Sequence, residues 1–375
     1  MATNNKDKID LRKVNRNRVY RLIYQEGAVS KPEIAQRLGI SLPTAIQNVK
    51  LLQKEGFLQE GKSMESTGGR KAVAVTLTKN VRYSIGIDIT RNHISAVIIN
   101  LKAEVIASEQ INRAFENATE YYADICNIMN QMINQSGIDP QCILGVGFSV
   151  PGIMSKDGQL LIYSHVLNVS GVLCAQFKQN LPYPAILCND ANAAGYAEIW
   201  SDRKNKNAVY LSLSNSVGGA VLLDEDLYYG KNQRAGEFGH MTLVSNGLPC
   251  YCGRKGCVDS YCSAQALSQH AGGNLRNFFE RLKNGEENLR IVWQQYLGWL
   301  AVVINNLTIS FDCNVILGGY LGEYLDEYLD DLRDMVLEMT TFAGNETYVS
   351  VCKYKQNAAA VGAALQFIRP FIENV

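Results

Sequence analysis

The sequence predicts an α/β protein in two parts, an N-terminal winged helix-turn-helix followed by a two-lobed α/β body. Three observations predict it. Charge is divided unevenly along the chain. Residues 12–77 follow a helix, glycine turn, helix and β-wing pattern. From Val81 onward, apolar strands alternate with helices, and a second similar half opens at Val209-Tyr210-Leu211-Ser212-Leu213.

The charge division comes first because it assigns the parts. The chain has 375 residues and a formal net charge of zero, from 36 Lys and Arg against 36 Asp and Glu. Residues 1–80 hold 15 basic and 7 acidic side chains, an excess of +8, so residues 81–375 carry −8. Asymmetry between segments is more informative than the total. A basic head suits a polyanion, and an acidic body would repel one. Apolar residues make up 47% of the chain, which excludes disorder and fibrous classes. No apolar run reaches the roughly 18 residues of a membrane span. The polar N-terminus does not read as a secretory signal. The expected localisation is cytoplasmic, where ten cysteines should be reduced, metal-bound or buried.

In the head, Val14, Val19, Leu22 and Ile23 form a helical stripe that Gly27 ends. Ser30-Lys31-Pro32-Glu33 is a capping box with proline in the first turn. Gly39 permits the tight turn of a helix-turn-helix. Ser41 caps the next helix, which carries Ala45, Val49, Leu51 and Leu52. Gly56-Phe57-Leu58 begins a strand, and Ala72–Leu77 is its partner across a glycine-rich wing tip. The second helix of such a pair enters the major groove N-terminus first. Ser41, Pro43, Thr44, Gln47 and Asn48 are therefore the expected base or phosphate contacts, since Gln and Asn can pair bidentately with adenine. Arg70 and Lys71 at the wing tip suit a phosphate or the minor groove. A helical protein-docking module is the alternative reading of the head.

In the body, strands are expected at Tyr83–Ile89, Ile94–Asn100, Glu104–Ser108 and Ile143–Val150. A helix is expected over about Ala118–Ser136. A further strand ends at Asn189-Asp190, and ligands of such sheets lie at strand carboxyl ends. Cys250, Cys252 and Cys257 fall within eight residues, with Gly253 and Gly256 between them and His240 ten residues upstream. Three thiolates and an imidazole make a closed tetrahedral zinc set, structural rather than catalytic because no position stays open. Cys262 stands nearby as a competing ligand. The other six cysteines read as packing residues, and His93, His165 and His270 as ordinary.

Five ordered segments carry a resemblance. They are Gly145-Val-Gly-Phe-Ser-Val-Pro151-Gly152, Asn189-Asp-Ala-Asn192-Ala-Ala, Gly236-Glu237-Phe238-Gly239-His240, Cys250-x-Cys252-Gly-x-x-Gly-Cys257 and Val315-Ile-Leu-Gly318-Gly319. Over about residues 81–369 the chain resembles the ROK family of sugar-responsive repressors and sugar kinases. With the winged head, it looks like the repressor branch. The resemblance implies an actin/hexokinase-like (ribonuclease H-like) body. Expected boundaries are 1–80 for the head, 81–198 plus a returning C-terminal helix 357–375 for the first lobe, and 199–356 for the second lobe with the zinc knuckle. It also implies a structural zinc on His240, Cys250, Cys252 and Cys257. A sugar would be held by Asn189, Asp190, Glu237, His240 and Asp259. The family's usual Glu is shortened to Asp at position 259, which alters its reach.

Asp190 matches the general base of the kinases. The glycine-rich phosphate turn after their first strand is replaced here by Asp88-Ile89-Thr90-Arg91-Asn92-His93, and the second phosphate loop reads Ser214-Asn215-Ser216. Side chains then occupy space a phosphate would need. The expectation is a non-enzymatic sensor with no catalytic residue and Asp190 as a vestigial base. It would be a sugar-responsive regulator, a repressor of carbohydrate genes released by a sugar or sugar derivative. Its expected partners are operator DNA, that effector, and a second copy or four copies of the chain. Two alternatives stay open: a sugar kinase with an added DNA-binding head, and a body that docks a transporter protein.

Overall fold

The computed structural model describes residues 3–63, 73–179, 181–202, 206–341 and 348–375, without the side chains of residues 3–10 and 63. The head begins with α1 (Thr3–Glu26) and the short strand β1 (Ala28–Ser30). The helix-turn-helix pair is α2 (Lys31–Leu38) and α3 (Leu42–Lys54), and the wing strands are β2 (Leu58–Ser63) and β3 (Val73–Leu77). The capping box forms as the sequence demands: Ser30 Oγ accepts from Glu33 N, and the Glu33 carboxylate accepts from Ser30 N at 2.9 Å. Gly39 adopts φ 62°, ψ 34°, the left-handed conformation that turns the chain between α2 and α3.

Val19, Tyr20, Ile23, Ile34, Ala45, Val49 and Leu52 are fully buried and form the core of the head. Two apolar positions differ from the helical reading. Val14 is 51% exposed and Leu51 is 42% exposed. α1 begins well before Val14, and the stripe that meets the core starts only at Val19. β1 pairs with β3, so the wing is a three-stranded sheet in the order β1-β3-β2 rather than a two-stranded ribbon.

The body contains two five-stranded sheets of the same topology. The first uses β4 (Tyr83–Ile89), β5 (His93–Asn100), β6 (Val105–Asn112), β7 (Ile143–Val150) and, after the small sheet below, β11 (Ala185–Asn189). β8 (Ile153–Met154), β9 (Leu160–Ser164) and β10 (Val169–Leu173) form that separate three-stranded sheet. The second large sheet uses β12 (Ala208–Leu213), β13 (Val217–Leu223), β14 (Asp226–Leu227), β15 (Asn314–Gly318) and β16 (Val349–Val351). Their orders are β6-β5-β4-β7-β11 and β14-β13-β12-β15-β16. In each sheet three antiparallel strands are followed by two parallel ones. The helices are α4 (Thr119–Ser136), α5 (Cys174–Lys178), α6 (Asp190–Ser201), α7 (Asp259–Cys262), α8 (Ala264–Ser268), α9 (Leu275–Lys283), α10 (Glu287–Phe311), α11 (Leu329–Met339) and α12 (Ala358–Glu373). Among the described residues, no helix is long and apolar enough to cross a membrane.

α12 sets the geometry of the body. Its alanine- and glycine-rich sequence lets backbones approach closely, and the sheet answers with glycines of its own. A Cβ on Gly86 of β4 would lie 1.8 Å from the Ala360 carbonyl oxygen, and one on Gly147 of β7 would lie 2.0 Å from that of Ala363. On the other side, a Cβ on Gly362 would lie 1.7 Å from the Ala193 oxygen of α6. The C-terminal end of α12 reaches the head, where the Phe371 and Phe57 rings meet edge-on at 5.5 Å and Asn17 Nδ2 donates to the Glu373 carbonyl at 3.1 Å. The buried core runs without a break from Tyr20 and Ile23 of α1 to Ala197 of α6 and Leu365 of α12.

Because the Gly362 clash is with backbone, Gly362→Ala must force α12 and α6 apart. We expect a loss of about 2–4 kcal/mol in urea unfolding. The same substitution at Gly298, where a Cβ meets nothing within 4 Å, should be neutral or mildly stabilising.

Candidate functional site

The central cavity has a volume of about 870 Å³ and lies where β7 and β11 end. β7 delivers Pro151 and Gly152, and β11 delivers Asn189 and Asp190. Asn189 is the N-cap of α6: its Oδ1 accepts from Asn192 N at 3.0 Å and its Nδ2 donates to the Gly152 carbonyl at 3.1 Å. Glu237 and His240 line the same cavity from the segment after β14. Asn189, Asp190, Glu237 and His240 are therefore brought together.

Asp259 is 6% exposed and accepts from Val217 N at 2.7 Å, which ties the start of β13 to α7. Burial pushes its carboxyl up, opposed by the Val217 hydrogen bond and by the neighbouring His240 of the cavity wall. Several lining residues had no signal in the sequence. His165, read as ordinary, lines the cavity and meets Tyr163 Oη at 2.6 Å. Tyr163, Tyr251 and Lys156 line it too. No local motif marks them, because separate loops bring them together.

Behind the cavity, Asp88 is buried and accepts from Ser149 Oγ at 2.7 Å. Burial pushes its carboxyl up to about 7, helped by the charge of Asp190 and opposed by the Ser149 hydrogen bond. Burial and the Glu237 charge likewise push Asp190 up to about 6. The turn that follows Asp88 is tight. Thr90 N donates to the His93 carbonyl at 3.0 Å, and Thr90 Oγ1 accepts from His93 N at 3.1 Å. The Tyr320 ring packs 6.2 Å from His93, and burial pushes its hydroxyl up to about 12.

The knuckle assembles the four expected donors. His240, Cys250, Cys252 and Cys257 place their ligand atoms within 4.8 Å of one another. Cys252 Sγ and Cys257 Sγ are 3.8 Å apart, and Cys250 Sγ is 4.0 Å from His240 Nδ1. A tetrahedral ion with metal–sulfur bonds of about 2.3 Å requires sulfurs about 3.8 Å apart, so the set fits a metal. Cys262 is fully buried and lies outside the set. Of the six cysteines expected in packing roles, Cys174, Cys313 and Cys352 are buried while Cys126, Cys142 and Cys188 are partly exposed.

In the head, Ser41 caps α3 and its hydroxyl meets Thr44 Oγ1 at 2.8 Å. Pro43, Gln47, Lys50 and Lys54 are exposed along one stripe of α3. Asn48 is 8% exposed, and its Nδ2 donates to the Thr44 carbonyl at 2.8 Å, one turn back along α3. Arg70 and Lys71 lie outside the described residues.

The ROK family model matches residues 84–369, and a winged helix-turn-helix DNA-binding model matches residues 14–59. The chain belongs to the ROK family. It is 30% identical over 265 residues to the xylose repressor of Bacillus subtilis (strain 168), covering 70% of this chain and 68% of that one. It is 22% identical over 277 residues to the DNA-binding transcriptional dual regulator NagC of Escherichia coli (strain K12), covering 72% of this chain and 68% of that one. Among solved structures, a ROK family transcriptional regulator homologous to the Escherichia coli MLC protein matches with a TM-score of 0.76 and 19% identity, covering 97% of both chains. A ROK family glucokinase from Streptomyces griseus, in complex with glucose and AMPPNP, matches with a TM-score of 0.67 and 21% identity, covering 76% of this chain and 99% of that one. These structures share the fold of an N-terminal winged head on a sugar-kinase-like body, or of that body alone.

Two predictions follow from the site's chemistry. Elemental analysis of the purified chain should find one divalent metal per chain, and Cys252→Ser should lose it. The second concerns Asp88, whose folded value lies above its unfolded one, so the native state binds more protons than the unfolded state between about pH 4 and pH 7. The stabilisation linked to that proton is complete in acid and is lost as pH rises through about 7. Asp88→Asn should therefore raise the melting temperature relative to wild type at pH 8 and change it little at pH 4.5.

Proposed function

We propose that this ROK protein is a sugar-responsive transcriptional repressor, a non-enzymatic sensor whose winged head binds operator DNA and whose body binds a sugar that releases it. The observation that carries the reading is a cavity of the kinase-like body into which Asn189, Asp190 and Glu237 converge, in one chain with a helix-turn-helix. The names of relatives supply the first ligands to test: xylose from the Bacillus subtilis xylose repressor, and N-acetylglucosamine from the N-acetylglucosamine repressor of Escherichia coli O157:H7, 22% identical over 277 residues.

In this reading Gln47 and Lys50 on the exposed stripe of α3, with Ser41, Pro43 and Thr44 at its start, meet the DNA, and Arg70 and Lys71 serve the wing. The +8 charge of the head makes the association salt-dependent. Two copies of the chain would present paired heads to paired half-sites.

His240, Cys250, Cys252 and Cys257 would hold zinc. When bound, the ion supplies a fixed cross-link with no open coordination position, so it is structural. Asn189, Asp190 and Glu237 hydrogen-bond the sugar hydroxyls. Two observations support the loss of kinase activity. The Asp88–His93 turn contains no glycine and closes on itself through Thr90, and Tyr320 packs beside it against His93. A phosphoryl donor needs a backbone cradle that this turn does not offer.

Sugar binding reaches the head through α6. Its first turn lines the cavity, and near its other end Trp200 packs against Tyr24 of α1 at 6.1 Å. Lys102 Nζ sits 4.1 Å over the Tyr24 ring and donates to the Tyr24 carbonyl at 2.5 Å, fixing that end of α1 against the body.

A thermal-shift panel of pentoses, hexoses and amino sugars on the full chain tests the reading. One class should stabilise the wild type and weaken operator binding. Asp190→Asn should lose both effects, with affinity down about tenfold or more. Sugar-dependent ADP production that vanishes in Asp190→Asn would replace the sensor with an enzyme.

A further inference from the structure

Tyr251 occupies an unusual position. It stands between two of the metal-binding cysteines, so the backbone is tied down on both sides of it. The surrounding turn is itself closed, with Gly253 N donating to the Cys250 carbonyl at 3.0 Å and Cys250 N donating to the Arg254 carbonyl at 2.8 Å. Yet the Tyr251 side chain does not enter the protein. It is 54% exposed and lines the cavity that holds Asn189, Asp190 and Glu237.

Its ring joins others. Tyr251 is 5.4 Å from the His240 ring at 67° and 6.2 Å from the His165 ring at 68°. His165 in turn lies 4.4 Å from Tyr163 at 81°, with the 2.6 Å contact between Tyr163 Oη and His165 Nδ1 holding the pair. Tyr163 comes from β9 and His165 directly follows it, whereas Tyr251 and His240 come from the knuckle. Two separate parts of the fold thus contribute one aromatic wall to the cavity. Edge-to-face contacts orient the rings relative to one another.

Elsewhere the lining mixes apolar side chains such as Ile153, Leu187 and Leu227 with the acidic and amide groups of Asn189, Asp190 and Glu237. A cyclic sugar is amphipathic: its hydroxyls project from the ring edge, and its axial C–H bonds form an apolar face. Asn189, Asp190 and Glu237 satisfy the hydroxyl edge and offer nothing to the C–H face. An exposed aromatic ring on a closed turn, oriented by its contacts with His240 and His165, does.

We propose that Tyr251 is a ligand-contacting residue that stacks on the C–H face of a ring-closed sugar, with His165 and Tyr163 extending the platform, and that the metal knuckle serves to hold this ring in place. This rests on the sugar-sensor reading and adds to it the class of ligand, a ring-closed sugar rather than an open-chain polyol, and the residue that selects it. A competing role for Tyr251 is support of His240, since its hydroxyl is 3.4 Å from His240 Nε2. The two roles use different atoms, the ring face and the hydroxyl.

Isothermal titration of the full chain with D-xylose and with N-acetylglucosamine, alongside metal analysis of each preparation, separates them. D-xylitol serves as the open-chain control. Stacking predicts that Tyr251→Phe keeps affinity within about twofold. Tyr251→Ala and Tyr251→Leu should lose about tenfold with metal content unchanged, and the wild type should reject xylitol. Wild-type affinity in Tyr251→Ala would overturn the proposal. So would an equal loss in Tyr251→Phe and Tyr251→Ala, which would assign the hydroxyl rather than the ring. If the wild type binds neither sugar while its metal is present, the sensor reading fails for these ligands and the stacking role falls with it.

Discussion

The close approach of α12 to its neighbours is the constraint on which this molecule depends. Backbone meets backbone where Gly86 and Gly147 face Ala360 and Ala363, and again where Gly362 faces Ala193. Side chains at these points would separate the helix from the first large sheet and from α6. Interiors are packed too tightly to absorb such shifts locally. Since α12 also touches the head, through Phe371 on Phe57 before β2 and Glu373 on Asn17 of α1, the head is docked on the same element that holds the body together.

That arrangement gives α6 its significance. The first turn of the helix is both part of the ligand cavity and pinned against α12 at Ala193, and its other end carries Trp200 against Tyr24. Glu198, one turn from that end, accepts from Lys353 N at 2.7 Å and Tyr354 N at 2.9 Å, so the end is also fixed to the second large sheet's final connection. A rigid element with both ends engaged can shift only as a body. A ligand that favours one position of α6 would then favour one placement of α1, to the extent of its differential affinity for the two states.

Much of the fold was legible because local chemistry and tertiary need agreed. The strand Tyr83–Ile89, the strand Ile143–Val150 and the Ser30–Glu33 cap stand where pattern and capping rules place them. The cysteine knuckle was legible because its ligands lie close in sequence. What was not legible depends on distant partners. The β8–β10 sheet is built from strands of two to five residues, too short to show a period. Asn48 sits on an exposed-looking helix position but turns its amide to the Thr44 carbonyl, one turn back. Asp259 is in the expected segment, yet it bonds Val217 N across to β13. His165, Tyr251 and Tyr320 meet their partners only through folding, and no spacing announces them.

The central claim is that the cavity and the DNA-binding head are coupled through this shared core. Linkage makes that claim reciprocal: a sugar that weakens operator binding by some factor must itself bind more weakly, by the same factor, to the operator-bound protein. The direct measurement is therefore sugar affinity by titration with and without saturating operator DNA, set beside operator affinity with and without sugar. Equal factors of five or more in both directions are predicted, in line with couplings of roughly 1–3 kcal/mol. Sugar affinity unchanged by operator DNA would contradict the account.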